Sequence, residues 1–123
     1  MESKQKRFMA VFTGTPAAFE KWQRENPDPK KREAMEREGM QAWMKWGETH
    51  AKVILDNGGP LGRTKRVTRD GIADIRNNLA GYTIVQAESQ EAAAKLFLNH
   101  PHFAIFPGDA VEIMELLPIP EMP

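Results

Sequence analysis

Three histidines are the side chains of this sequence whose ordinary chemistry includes proton exchange near neutral pH, and two of them fall within His100-Pro101-His102-Phe103. An imidazole at the end of a helix, where a loop begins, is well placed to act as a general base or acid. A structural role is equally open: His100 comes four residues after Leu96 and three after Phe97, where a cationic ring would favour the C-terminus of a helix. His50 shares a helical spacing with Trp43 and Trp46, so it either packs with one nitrogen satisfied or joins the other histidines at a pocket. In the second case Trp43 and Trp46 supply apolar walls and the histidines the proton transfer, the composition expected of a small-molecule site. In the first, tryptophans at that spacing are simply core.

Other candidates are weighed the same way. Arg63 and Lys65 lie on one face of an expected strand and would hold a substrate carboxylate, or else form a solvated basic edge that discourages sheet aggregation. His100 and His102 form an H-x-H pair, but a zinc site would need His50 and a carboxylate such as Asp56 or Asp109 to complete it, at no recognised spacing. No metal and no cofactor are therefore expected. Gly58-Gly59-Pro60-Leu61-Gly62 is glycine-rich, yet no helix follows to receive a phosphate, so these glycines read as turn formers. The absence of cysteine removes thiol nucleophiles, thiolate metal sites and disulfides together.

The elements that must position these residues are legible from periodicity and caps. Phe8 to Thr13 is a short strand, apolar on both pleat faces and stopped by Gly14. Thr15-Pro16 and Asp28-Pro29 each supply a cap and a proline at a first helical position. They start a short helix ending at Asn26-Pro27 and a long one running to Asn57, where Gly58 would cap it. Leu61 to Thr68 and Gly81 to Glu88 read as strands joined by a loop containing Arg69-Asp70-Gly71. Ser89 caps a helix over QEAAAKLFLN that Pro101 ends, and Ala110 to Leu117 is the last strand. The order is the split βαββαβ of ferredoxin-like domains: α+β, with a four-stranded antiparallel sheet. Helices cover one sheet face only in that architecture, so a second copy is expected to hide the other, giving a homodimer.

Length and composition fit this picture. A chain of 123 residues supports one core, so a single domain over residues 1–123 is expected, with a polar tail at 1–6 and a proline-rich one at 118–123. Lys plus Arg equals Asp plus Glu at 17 each, which leaves no field to draw nucleic acid or an anionic membrane. The first apolar run is only about six residues, far short of a signal core or membrane span, so a cytoplasmic location is expected.

The segments FMAVFTGTP, DNGGPLG, GYTIVQAES and NHPHFAIFPGDAVEIMELLPIP resemble, taken together, the YCII-related family of dimeric α+β barrel proteins, over about Phe8 to Pro120. The resemblance implies a ferredoxin-like protomer and a dimer built through the sheets. In that family a helix histidine and an aspartate in an Asp-Pro step form the active pair. Here the step is His100-Pro101, and the helix position falls nearer Trp43 than His50. The reading that follows is a cofactor-independent enzyme acting by proton transfer, in a lyase, isomerase or hydrolase reaction, on a small organic acid or aromatic compound. His100 or His102 would be the base, with His50 assisting, Arg63 holding an anion, and Trp43 and Trp46 as walls. A small-molecule-binding or regulatory dimer without turnover is the alternative, and a purely structural dimer a third.

Overall fold

Phe8, Ala10 and Phe12 alternate along β1 (Lys6–Thr13) and point to one side, where they are almost completely buried. Their burial needs helices on that side; after α1 (Pro16–Glu25), which buries no residue, the chain supplies α2 (Pro29–Thr49), whose Trp43 and Trp46 pack against them. Both helices start as the sequence predicts: the Thr15 hydroxyl accepts from the Ala18 amide at 3.2 Å and the Asp28 carboxylate from the Lys30 amide at 3.0 Å. The computed structural model describes residues 5–120, so most of the residues assigned to the N-terminal tail and the last three of the C-terminal one lie outside the described residues. The remaining elements are β2 (Ile54–Pro60), β3 (Thr64–Thr68), β4 (Gly71–Ile75), β5 (Leu79–Ala87), α3 (Gln90–Lys95), α4 (Pro101–Ala104) and β6 (Ala110–Glu115).

Four strands form one antiparallel sheet in the order β2-β5-β1-β6. The fold is therefore mixed α+β, with the split βαββαβ path expected from the sequence and β1 in the interior. Val85, Ala87, Ala93 and Phe97 join Phe8, Ala10 and Phe12 in the core, with Trp43, Trp46, Ile54, Val111 and Ile113 packed around them. Cross-strand register pairs Met9 with both Ile84 and Met114, and Val11 with Tyr82. These side chains point away from the core cluster and are not part of it.

Three boundaries differ from the sequence expectation. The long helix ends at Thr49, not Asn57, and the second strand of the main sheet is Ile54–Pro60, not Leu61–Thr68. Ile54 and Gly59 pair with Val85 and Tyr82, so tertiary pairing overrides the helical pattern that Val53 and Ile54 continue on paper. Of Leu61–Thr68, only Thr64–Thr68 is a strand, and it pairs with Gly71–Ile75 in a separate two-stranded ribbon. The reason is local: Asp70-Gly71 closes a tight turn, with Gly71 at φ 118, so the segment folds back on itself. Val67 and Ile72, opposite each other on this ribbon, are 74% and 71% exposed, far too open to belong to a core. Finally, α3 stops at Lys95; Asn99 takes a left-handed φ of 56, and Pro101 begins a new helix instead of ending the old one.

Candidate functional site

The restart at Pro101 decides what the histidine pair does. His100 is the residue before a proline, held extended at φ −61 and ψ 142, which makes it the N-cap of α4. Its Nδ1 accepts from the backbone N–H of His102 at 3.0 Å, so Nδ1 carries the lone pair and a neutral ring carries its hydrogen on Nε2. This corrects the sequence expectation of a cationic cap at a helix C-terminus: the ring caps the N-terminus of the next helix and must be neutral to do so.

Its surroundings enforce neutrality. His100 is fully buried among four aromatic rings, with centroids 4.5 Å from Trp43, 4.7 Å from Trp46, 5.1 Å from Phe12 and 5.7 Å from Phe97. Nε2 is sealed from solvent and has no oxygen or nitrogen partner. The two tryptophan rings stand close to edge-on to the imidazole, at 88° and 70°. Burial, first, and the neighbouring His102 and His50 rings, second and third, push its pKa down from 6.5 to about 4.

His102 has the complementary arrangement. Its Nε2 lies 2.7 Å from the carbonyl oxygen of Thr13, and because a carbonyl only accepts, Nε2 donates. The Thr13 carbonyl also receives the Asp109 amide at 2.9 Å, which ties the end of β1 to the start of β6. The other nitrogen of His102, Nδ1, has no hydrogen-bond partner among the described residues and is not sealed from solvent. Gly108 makes room for the ring, since a Cβ there would collide with Nε2 and Cε1 of His102.

His102 lines a cavity of about 370 Å³ between α2, β2, β5 and α4. Phe12, Trp43, Phe106, Met40 and Met44 supply apolar walls, and the floor is the β2–β5 pairing around Gly59, Pro60 and Gly81. Phe106 reaches its place because residue 39 is glycine: a Cβ there would come within 2.6 Å of the Phe106 ring. A second hollow of about 470 Å³ runs along α2, between Trp46, Glu48 and Ile54, and shares Trp43, Met44 and Asn57 with the first.

The structure thus brings His100, His102, Trp43 and Trp46 together, with His50 on the far side of Trp46, and places Arg63 apart. Trp46 is fixed by its indole N–H, which donates to the Leu96 carbonyl at 2.8 Å. His50 follows the end of α2 as its cap, 5.0 Å from the Trp46 ring, and lines neither hollow. Arg63 precedes β3 and lines a separate open groove beside the ribbon. Its neighbour Lys65 is paired with Asp74 at 2.7 Å. Sequence reasoning missed Phe106, Phe12 and Asn57 as lining residues; the FPGD step before the last strand was the available signal for Phe106 and Gly108. Among the described residues no group of three or more His, Asp or Glu side chains could hold a metal ion, and no helix is long and apolar enough to cross a membrane.

No family model and no curated protein matches this chain. Among solved structures it is similar to 5-chloro-2-hydroxyhydroquinone dehydrochlorinase from Burkholderia phenoliruptrix AC1100 in complex with 2,5-dihydroxybenzoquinone. The TM-score is 0.52 at 16% identity, over 90% of this chain and 93% of that one. A likeness at that identity is one of fold, a mixed α+β chain with a four-stranded antiparallel sheet.

Proposed function

We propose that the cavity lined by His102 binds a small aromatic compound and that the protein moves a proton on it without a cofactor. The observation that carries this reading is the state of His102: one nitrogen is committed as a donor to the Thr13 carbonyl, and the other is unpartnered and unsealed in a ring that lines an aromatic-walled cavity. An imidazole oriented this way offers its free lone pair as a general base. When Nδ1 takes a proton from an acidic C–H or O–H of the ligand, the ring becomes a cation, and its bond to the Thr13 carbonyl becomes charge-assisted and stronger. His100 serves as the positioning group, since its Nδ1 holds the backbone of His102 and the ring stays neutral beside the developing charge. Trp43 is the wall on which an aromatic ring would rest. The fold is shared with 5-chloro-2-hydroxyhydroquinone dehydrochlorinase, an enzyme named for a small hydroxylated ring.

The same reading includes the YCII-related membership suggested by the quoted segments, and a homodimer. The sheet face turned away from the core cluster carries Met9, Val11, Tyr82, Ile84 and Met114, with Met114 44% exposed, an apolar set that a second sheet of the same kind would bury further. Sedimentation analysis at micromolar concentration should return twice the chain mass of 13.9 kDa.

The proton transfer is tested by exchange. In D₂O, the ring hydrogens of phloroglucinol, an uncharged phenol near neutral pH, should be replaced by deuterium faster with the protein than without, as followed by proton NMR. His102→Gln should lose that acceleration while tryptophan fluorescence still reports binding. Exchange that is equally fast in His102→Gln refutes the assignment of the base. Binding without any acceleration leaves a binding module in place of an enzyme.

A further inference from the structure

The ligand cavity holds few polar side chains, and one of them owes its position to an irregularity in the sheet. Between its pairings with Ile84 and Tyr82, β2 advances three residues, Asp56 to Gly59, while β5 advances two. The extra residue is accommodated by a bulge at Asn57 and Gly58, the device by which a strand redirects a side chain. It is held on both sides. The Thr83 hydroxyl lies 2.9 Å from the Asp56 carbonyl and 3.1 Å from that of Asn57, and the Asp56 carboxylate accepts from the Gly58 amide at 2.8 Å. Gly58 itself stands at φ +60, where a Cβ would collide with the Tyr82 carbonyl.

The bulge leaves Asn57 lining both hollows, and its carboxamide is without a partner among the described residues. No Lys, Arg, Asp or Glu lines the His102 cavity, and the single charge lining the adjoining hollow is negative, on Glu48. A carboxylate resting against these walls would find no cation to receive it, and Glu48 would repel it from the adjoining hollow. A carboxamide both donates and accepts, and so matches an uncharged hydroxyl or carbonyl oxygen. Building on the proposed function above, we infer that Asn57 anchors an oxygen substituent of the ligand and that the site selects neutral oxygenated rings over carboxylated ones.

Three probes of one ring size test this by tryptophan fluorescence titration: hydroquinone, benzoate and toluene. Wild type should bind hydroquinone more tightly than benzoate. Asn57→Leu should weaken hydroquinone about tenfold, the loss of one hydrogen bond, and leave toluene within about twofold. Asn57→Asp, which keeps the size of the side chain, removes the donor and adds a negative charge, should weaken benzoate further and guards against a folding defect in the first variant. Hydroquinone affinity unchanged in Asn57→Leu, or benzoate bound tighter than hydroquinone by wild type, overturns this inference and leaves the cavity reading intact. Failure of all three probes to bind overturns the cavity reading as well.

Discussion

A drop in pH should expose the sealed histidine as a stability term. In the unfolded chain His100 titrates at the ordinary 6.5, and in the folded protein at about 4. Between those values the unfolded state holds a proton that the folded state excludes, so acidification favours unfolding. The contribution is fully present above pH 6.5 and falls by up to about 1.4 kcal/mol for each pH unit below it. From pH 7 to pH 5 this amounts to about 2 kcal/mol, and the decline levels off below about pH 4, where the folded form is protonated as well. Other groups titrate in the same window, so the informative quantity is a difference. His100→Asn keeps an N-cap acceptor for the His102 amide but cannot titrate, and its smaller side chain costs a roughly constant amount for the cavity it leaves. Urea unfolding at pH 7 and pH 5 should show the stability advantage of wild type over His100→Asn shrinking by about 2 kcal/mol. An advantage that stays constant across the two pH values would refute the argument that burial among Trp43, Trp46, Phe12 and Phe97 keeps this ring neutral.

Three further expectations concern packing around the site. Gly58→Ala places a side chain at φ +60 against the Tyr82 carbonyl, and should cost about 2 kcal/mol or more by chemical denaturation. Gly108→Ala should push the His102 ring off the Thr13 carbonyl; the resonances of its imidazole should shift and deuterium exchange into phloroglucinol should slow at least tenfold, at a stability loss of about 1–3 kcal/mol. Trp46→Phe removes the indole donor to the Leu96 carbonyl and should lower unfolding free energy by about 1–2 kcal/mol, with little change in ring-compound binding at the His102 cavity.

Much of this architecture is legible in the sequence wherever local chemistry and tertiary pairing agree. The apolar run Phe8 to Thr13, the Thr15-Pro16 and Asp28-Pro29 starts and the Ser89 cap all mark real elements because caps and prolines act within one turn. The errors fall where a decision depends on distant residues. Val53 and Ile54 continue a helical spacing from Trp43, but β5 offers Ile54 a strand partner in Val85, which no local pattern reveals. The pairing of His100 with Trp43 and Trp46 was legible as a possibility from their types. The division of labour between the two histidines was not, since it depends on Asn99 turning left-handed and on a carbonyl of β1 that lies 89 positions from His102. Asn57 escaped notice for a related reason: inside a presumed helix it had no strand bulge to redirect it.

The β3–β4 ribbon stands apart from the main sheet and from the His102 cavity. Its roots are already joined beneath it, since the Leu61 amide donates to the Ala80 carbonyl at 2.9 Å and Pro60 is paired with Gly81. In engineering terms it is a cassette: residues 62–77 form an appendage on a hairpin that is closed without it, and a tight turn in their place that keeps the Asn78 carbonyl on the Gly14 amide should preserve the sheet and the cavity. The ribbon and the pocket can therefore change on separate evolutionary schedules, one facing whatever the molecule meets and the other keeping its chemistry.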